Sequence, residues 1–333
     1  MRAGYADMIG RRIVPLLAGC VAVAAPAQTS VFETLRGLDV RVATAAERLT
    51  VANAALCRRV QPGFGLVLHA IDQYPPTIRA QVRGAFGFAV PVAVELVVPG
   101  GPAAQAGIRA DDGLVAIAGV QVAAEAAPDA LAASADTRDR IAARLAALPV
   151  APVVLTIVRG GVPQAVRVSP RPACASQVEV ATDRGSNAGA DGETIQVGAG
   201  LVERVDEVGL ALVLAHELAH NILEHRRRLA TAGVRGGIVG EFGRNRRLTR
   251  IAEDQADRLS AVLLYNAGYD VAAAAGFWRT QGAALDGGVF RSRTHSGAAS
   301  RARILEAEQA LLAAQPARPV RPDWIDGRDG GLE

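Results

Sequence analysis

The stretch 212–225, LVLAHELAHNILEH, sets two histidines and a glutamate into a run of Leu, Val, Ile and Ala, and no other segment restricts the chain as strongly. Its apolar residues recur at helical spacing, so it reads as a buried helix, with Asp206 as the N-cap and Glu207 in the first turn. On a helix, His216 and His220 lie about 40° apart around the axis and one turn apart along it, which suits two imidazoles to one metal ion. Glu217, on the adjacent side, is placed to take a proton from an activated water. A zinc site that keeps one position open needs three protein ligands. Glu224 shares the histidines' stripe, but three ligands in line span roughly 12 Å and cannot converge, so it is expected at the surface or in support. His225, about 140° round from His220, is expected to be structural. The third ligand must come from another element, and RIAEDQADRLSAVLLYNAGYD at 250–270 supplies two acids four residues apart. Glu253 would complete a His₂Glu sphere, and Asp257 would accept the free ring N–H of a ligand histidine.

With 333 residues, half of them apolar and only 4% aromatic, the chain is long enough for two domains with cores of their own. All basic side chains are Arg, the formal net charge is +3, and the Arg groups at 226–228 and 244–250 are interspersed with acids. No nucleic-acid surface is expected from that balance. Residues 1–27 read as an export signal: Arg11 and Arg12 precede an apolar run from Ile13 to Ala25, and Ala25-Pro26-Ala27 gives a small-x-small cleavage pattern. The run is too short to cross a bilayer. Leu17-Ala18-Gly19-Cys20 resembles a lipobox, so a lipid anchor at Cys20 is the alternative to a freely released chain in the periplasm or cell envelope. After cleavage, Cys57 and Cys174 are the two cysteines left, and in an exported chain they are expected to pair.

Residues 28–58 carry one amphipathic helix, with apolar side chains at steps of three and four from Leu35 to Leu56. From 59 to 172, short apolar runs alternate with Gly/Pro turns, the pattern of a small β-rich domain, and the Ala-rich piece 122–148 reads as helical. Within it, VVPGGPAAQAGIRADDGLVAIAGVQV resembles the core of a PDZ domain, with Pro102, Ala103, Ala106, Gly107, Asp112 and Gly119 at that motif's positions. Such a domain offers a groove where an extended peptide adds as a strand, and GFG at 63–65 and GAFGF at 84–88 are both candidate binding loops. Residues 173–315 form the third region, and the Pro/Gly-rich tail 316–333 is expected to be weakly ordered.

The features of 175–310 resemble, in order, those of the zinc metallopeptidases of the HtpX and CAAX prenyl protease type, family forty-eight. Asn187-Ala188 with Gly192, Ile195, Gly200 and Leu201 resembles the family's edge hairpin, Asp206–His220 its active-site helix, Glu253 to Arg258 its third-ligand helix, and Thr294-His295 with Arg301 its late motif. The resemblance implies an α+β chain, a mostly helical gluzincin domain behind the PDZ-like one. It also implies His216, His220 and Glu253 as Zn²⁺ ligands, Glu217 as general base and His295 near the metal as an oxyanion stabiliser, with Arg301 beside a carboxylate. Ser296 stands where the family has Pro. Polypeptides, above all unfolded envelope proteins, are the expected substrates, with the strand around Ile195–Val197 holding them in extended form. The Gly-rich segment 229–248 is a candidate cover for the cleft. The alternative is a peptide-binding or chaperone-like protein with a latent zinc site.

Overall fold

The computed structural model describes residues 30–122, 131–182, 185, 187–234, 243–282, 296–315 and 317–332. Helix α1 (Val31–Ala52) starts at a reciprocal cap: Ser30 Oγ accepts from the Glu33 N–H, and the Glu33 carboxylate accepts from the Ser30 N–H. Next come β1 (Val60–Gly63), β2 (Leu66–Ala70), α2 (Arg79–Phe86), β3 (Val92–Val97), the short α3 (Pro102–Gln105), β4 (Gly113–Ile117) and β5 (Val120–Gln121). Helix α4 (Asp136–Ala146), β6 (Val153–Arg159) and β7 (Val162–Val168) complete this region. Its strands form one antiparallel sheet in the order β2-β3-β4-β6-β7, with β5 on β4. Leu68, Val94, Leu114 and Leu155 pack there against Ile108 and against Ile141 of α4.

Strand β8 (Arg171–Cys174) returns to pair with β1, so the boundary expected at 172/173 runs through a strand. Cys57 and Cys174 are joined by a disulfide with Cα atoms 5.4 Å apart. The bond closes a loop of 117 residues, and constraining the unfolded chain over such a length is worth about 4–5 kcal/mol. Beyond it lie β9 (Gln177–Ala181), β10 (Ala188–Ala190), β11 (Thr194–Gly198), α5 (Ala199–Arg204), α6 (Glu207–Ile222), α7 (His225–Thr231), α8 (Gly243–Asn266), α9 (Val271–Phe277) and α10 (Ala298–Leu312). Leu38, Val42 and Leu49 of α1 share one core with α6, α8 and α9, so the first helix is built into the helical domain. Gly209 permits the closest of these approaches: a Cβ there would lie 2.3 Å from the Phe277 ring.

Two expectations are corrected. The tail is docked, through a 3₁₀ segment (Asp323–Asp329) with Ile325 and Leu332 buried. Arg328 donates to the carbonyls of Leu56 and Ile222, and so satisfies an acceptor left open where α6 ends. Composition hid this, because two apolar anchors and one arginine outweigh the Pro/Gly content around them. Strand β11, which contains Ile195–Val197, is hydrogen-bonded on both sides, antiparallel to β10 and parallel to β9. It therefore has no free edge for an added strand; among the described residues the open edges belong to β10 and β9.

The seam between the two regions holds a carboxyl pair. Asp39 of α1 and Glu95 of β3 are hydrogen-bonded to each other, with Arg36, Tyr74, Arg138 and Glu179 around them. Arg138 of α4 also donates to Glu179 of β9, at 2.9 Å. Burial, and then the charge of its partner, raises Glu95 from its ordinary 4.5 to about 8, and burial raises Asp39 to about 6. A carboxyl with a raised folded pKa contributes stability that is fully present below its unfolded pKa and is lost as pH rises through the folded one. Glu95→Gln keeps the hydrogen bond and removes the titration. Its melting temperature relative to wild type should therefore climb between about pH 4.5 and 8, which thermal scans across that range would measure. A constant difference would mean that the pair shares no proton.

Candidate active site

Asp206 caps α6 through its side chain, which accepts from the Gly209 N–H, and the helix carries its polar residues inward. His216 is 1% exposed and Glu217 6%, inside a helix whose other residues from Gly209 to Ala219 are buried too. Helix α8 packs against α6 and brings in Glu253. His216 Nε2 lies 3.1 Å from His220 Nε2 and 3.2 Å from Glu253 Oε2, and the His220 to Glu253 distance is 3.7 Å. Ligand atoms on a tetrahedral zinc, each about 2.0–2.1 Å from the ion, stand about 3.3 Å from one another. The three atoms therefore fit one such ion, and they form the only group of this kind among the described residues.

Each histidine is held from behind. His216 Nδ1 lies 2.9 Å from Asp257 Oδ1 and 2.9 Å from an Arg301 nitrogen. Of these two only the carboxylate accepts, so the hydrogen-bond network assigns Nδ1–H to His216 and turns Nε2 toward Glu253. Burial and the Arg301 charge both oppose a proton on His216, yet its hydrogen bonds to Asp257 and Glu253 outweigh them and raise it to about 9. Asp257, itself buried, is held below the usual carboxylate range against its burial by Arg301 and His216. Arg301 donates through Nε to both Asp257 oxygens at 2.9 Å and lies 3.9 Å over the Trp278 ring.

His220 is supported by His225, which helical spacing places about 140° round from it and which is expected from that spacing to be structural. Glu224 takes a left-handed conformation, φ 53°, that ends α6 and starts α7, and this turn brings His225 Nδ1 to 2.9 Å from His220 Nδ1. Gln255 Oε1 faces His225 Nε2 at 3.2 Å. Burial, then the neighbouring His220, pushes His225 down to about 3, so it is neutral. With its Nε2–H given to Gln255, its Nδ1 accepts from His220 and leaves the His220 Nε2 lone pair directed at the triangle. A residue forced to positive φ is not readable from helical periodicity, so no pattern pointed to His225. Glu224 itself pairs with Arg58 and Arg227.

Asn221, on the last turn of α6, accepts from the Gly192 N–H at 2.8 Å and donates to Ser176, which fixes the β10–β11 turn beside the helix. His295, the Thr294-His295 motif, residues 1–27 with Cys20, and the centre of the expected cover at 235–242 lie outside the described residues. Ser296, after His295, is buried and donates to Asp254 at 2.8 Å.

Fold and site together have the form of a helical domain with a candidate metal site and a small β-rich domain in front of it. The chain matches the family model for a PDZ domain over residues 94–142 and that for peptidase family M48 over 161–236, which includes both histidines of α6. These matches support an M48 peptidase with a PDZ domain, and peptidases of that family are metallopeptidases, generally zinc-dependent. No curated protein matches the chain. Among solved structures, the PDZ domain of HtrA3 bound to a phage-derived ligand (FGRWV) is 17% identical. The match covers 34% of this chain and 88% of that one, with a TM-score of 0.25.

Proposed function

We propose that the protein is an exported zinc endopeptidase that hydrolyses peptide bonds of unfolded or misassembled envelope proteins. The observation that carries this reading is the triangle of His216, His220 and Glu253 with Glu217 next to it in a buried helix. The zinc ion that fits these ligands supplies, when bound, Lewis acidity toward a carbonyl oxygen and a lowered pKa for water. The chain's own residues do the rest. Glu217 takes the proton of the attacking water and passes it to the leaving amine. Asp257 and His225 keep both ligand imidazoles in the tautomer with Nε2 free, and Arg301 holds Asp257 charged.

An extended substrate has a place to lie: among the described residues β10 is a free sheet edge, and it packs against α6. The disulfide supports the assignment to an oxidising compartment outside the cytoplasm. His295 remains the proposed oxyanion stabiliser. The test is metal removal. Dialysis of the mature chain against a chelator should abolish casein hydrolysis, and about one equivalent of zinc should restore it. Hydrolysis that survives in metal-free protein would sink the reading.

A further inference from the structure

One edge of the PDZ sheet is β2, which among the described residues pairs only with β3 and faces α4 across a groove of about 240 Å³. Leu66, Leu68, Ala142 and Leu145 line this groove. A peptide added antiparallel to β2 runs with its C-terminal end toward the Gly63–Gly65 loop. Among the described residues, no backbone carbonyl accepts from the N–H groups of Phe64 or Gly65, the kind of donors that capture a terminal carboxylate. The other candidate loop, GAFGF at 84–88, lies at the end of α2 instead.

That end of the groove is filled by this chain. Glu47 of α1 reaches into it: a Cβ on Gly65 would lie 2.6 Å from Glu47 Oε2, and one on Gly101 would lie 3.2 Å from either oxygen. Among the described residues no hydrogen-bond donor meets these oxygens, and the cation paired with them, Arg171, stands 3.9 Å away. Burial raises the Glu47 pKa and Arg171 partly opposes the rise. Because α1 belongs to the helical core, packed there through Leu49 and Ala45, the backbone that carries this carboxylate is held in place at the end of the groove. A second carboxylate brought within about 4 Å of it, in surroundings of effective dielectric near 20, is disfavoured by a factor of at most about 10³, and by less to the extent that one of the two takes up a proton. The groove is also not a dead end. Arg138, Asp139, Gln177 and Glu179 line both it and a cavity of about 500 Å³ over the face of β9, β11 and β10.

We propose that Glu47 closes this groove to free C-terminal carboxylates, so that it takes internal, extended segments of polypeptide that continue toward the peptidase sheet. The inference rests on reading β2 and α4 as a peptide groove, and binding is measured separately from hydrolysis. A fluorescein-labelled Leu/Val-rich ten-residue peptide, prepared once as the free acid and once as the C-terminal amide, is titrated into the full chain carrying Glu217→Gln. The amide should bind at least tenfold tighter than the acid. Adding Glu47→Gln, which keeps the side chain's size, should tighten the acid at least tenfold and leave the amide unchanged. Tighter binding of the acid to the parent, an unchanged ratio in the double variant, or no binding of either peptide would each overturn the proposal. Cleavage of casein by the otherwise wild-type Glu47→Gln chain reports on the peptidase independently.

Discussion

Glu217→Gln is expected to lower casein hydrolysis by a factor of about 10³ or more while the purified protein still holds about one zinc per chain. Positioned general bases contribute roughly 10²–10⁴ to a rate, and here one carboxylate has to take a proton and return it to the amine. Glutamine fills the same space but does neither. Metal retention follows from geometry, since Glu217 is not part of the triangle made by His216, His220 and Glu253. Rate and zinc content must therefore separate. If both fall together, Glu217 is holding the site together; if the rate survives, the base is another residue.

Arg301→Met should have a large effect on stability. Arg301 and Asp257 are each 1% exposed, and the arginine's removal leaves a buried carboxylate with one partner fewer. Breaking such a pair costs about 3–5 kcal/mol, which corresponds to a melting-temperature drop of roughly 10 °C for a domain of this size. The stacking on Trp278 is lost as well. Because Asp257 orients His216, zinc affinity should weaken about 10–100-fold. Arg303→Met, an exposed position on the same helix, is the control and should change neither quantity. The Asp257 carboxyl is depressed in the folded chain, so its contribution is present above its unfolded pKa and lost as pH falls. The difference between wild type and Arg301→Met should therefore shrink toward acid pH. A difference that stays level would place the defect in packing alone.

Much of the architecture was legible in local sequence. Helix α6, its Asp206 cap and the shared face of His216 and His220 depend on spacing of four residues or fewer, and α1 showed itself by its period. The PDZ segment was legible because its strands are separated by Gly/Pro turns, a short-range signal, and the α+β order followed. Other features depended on contacts between residues far apart in the chain, or on a single backbone angle. The positive φ at Glu224 turned His225 toward His220, where a continuous helix would have turned it away. Pairing of β11 on both sides moved the open edge to β10, and burial of Ile325 docked a tail whose composition suggested disorder. Glu47 looked like an ordinary polar residue on a helix, and only the packing of α1 between the two regions brings its carboxylate to Gly65. The sequence by itself determined which residues could take part in the chemistry, because that is set by residue type and helical period. The tertiary structure alone decided what stands behind each of them and which edges remain open, because those depend on long-range packing.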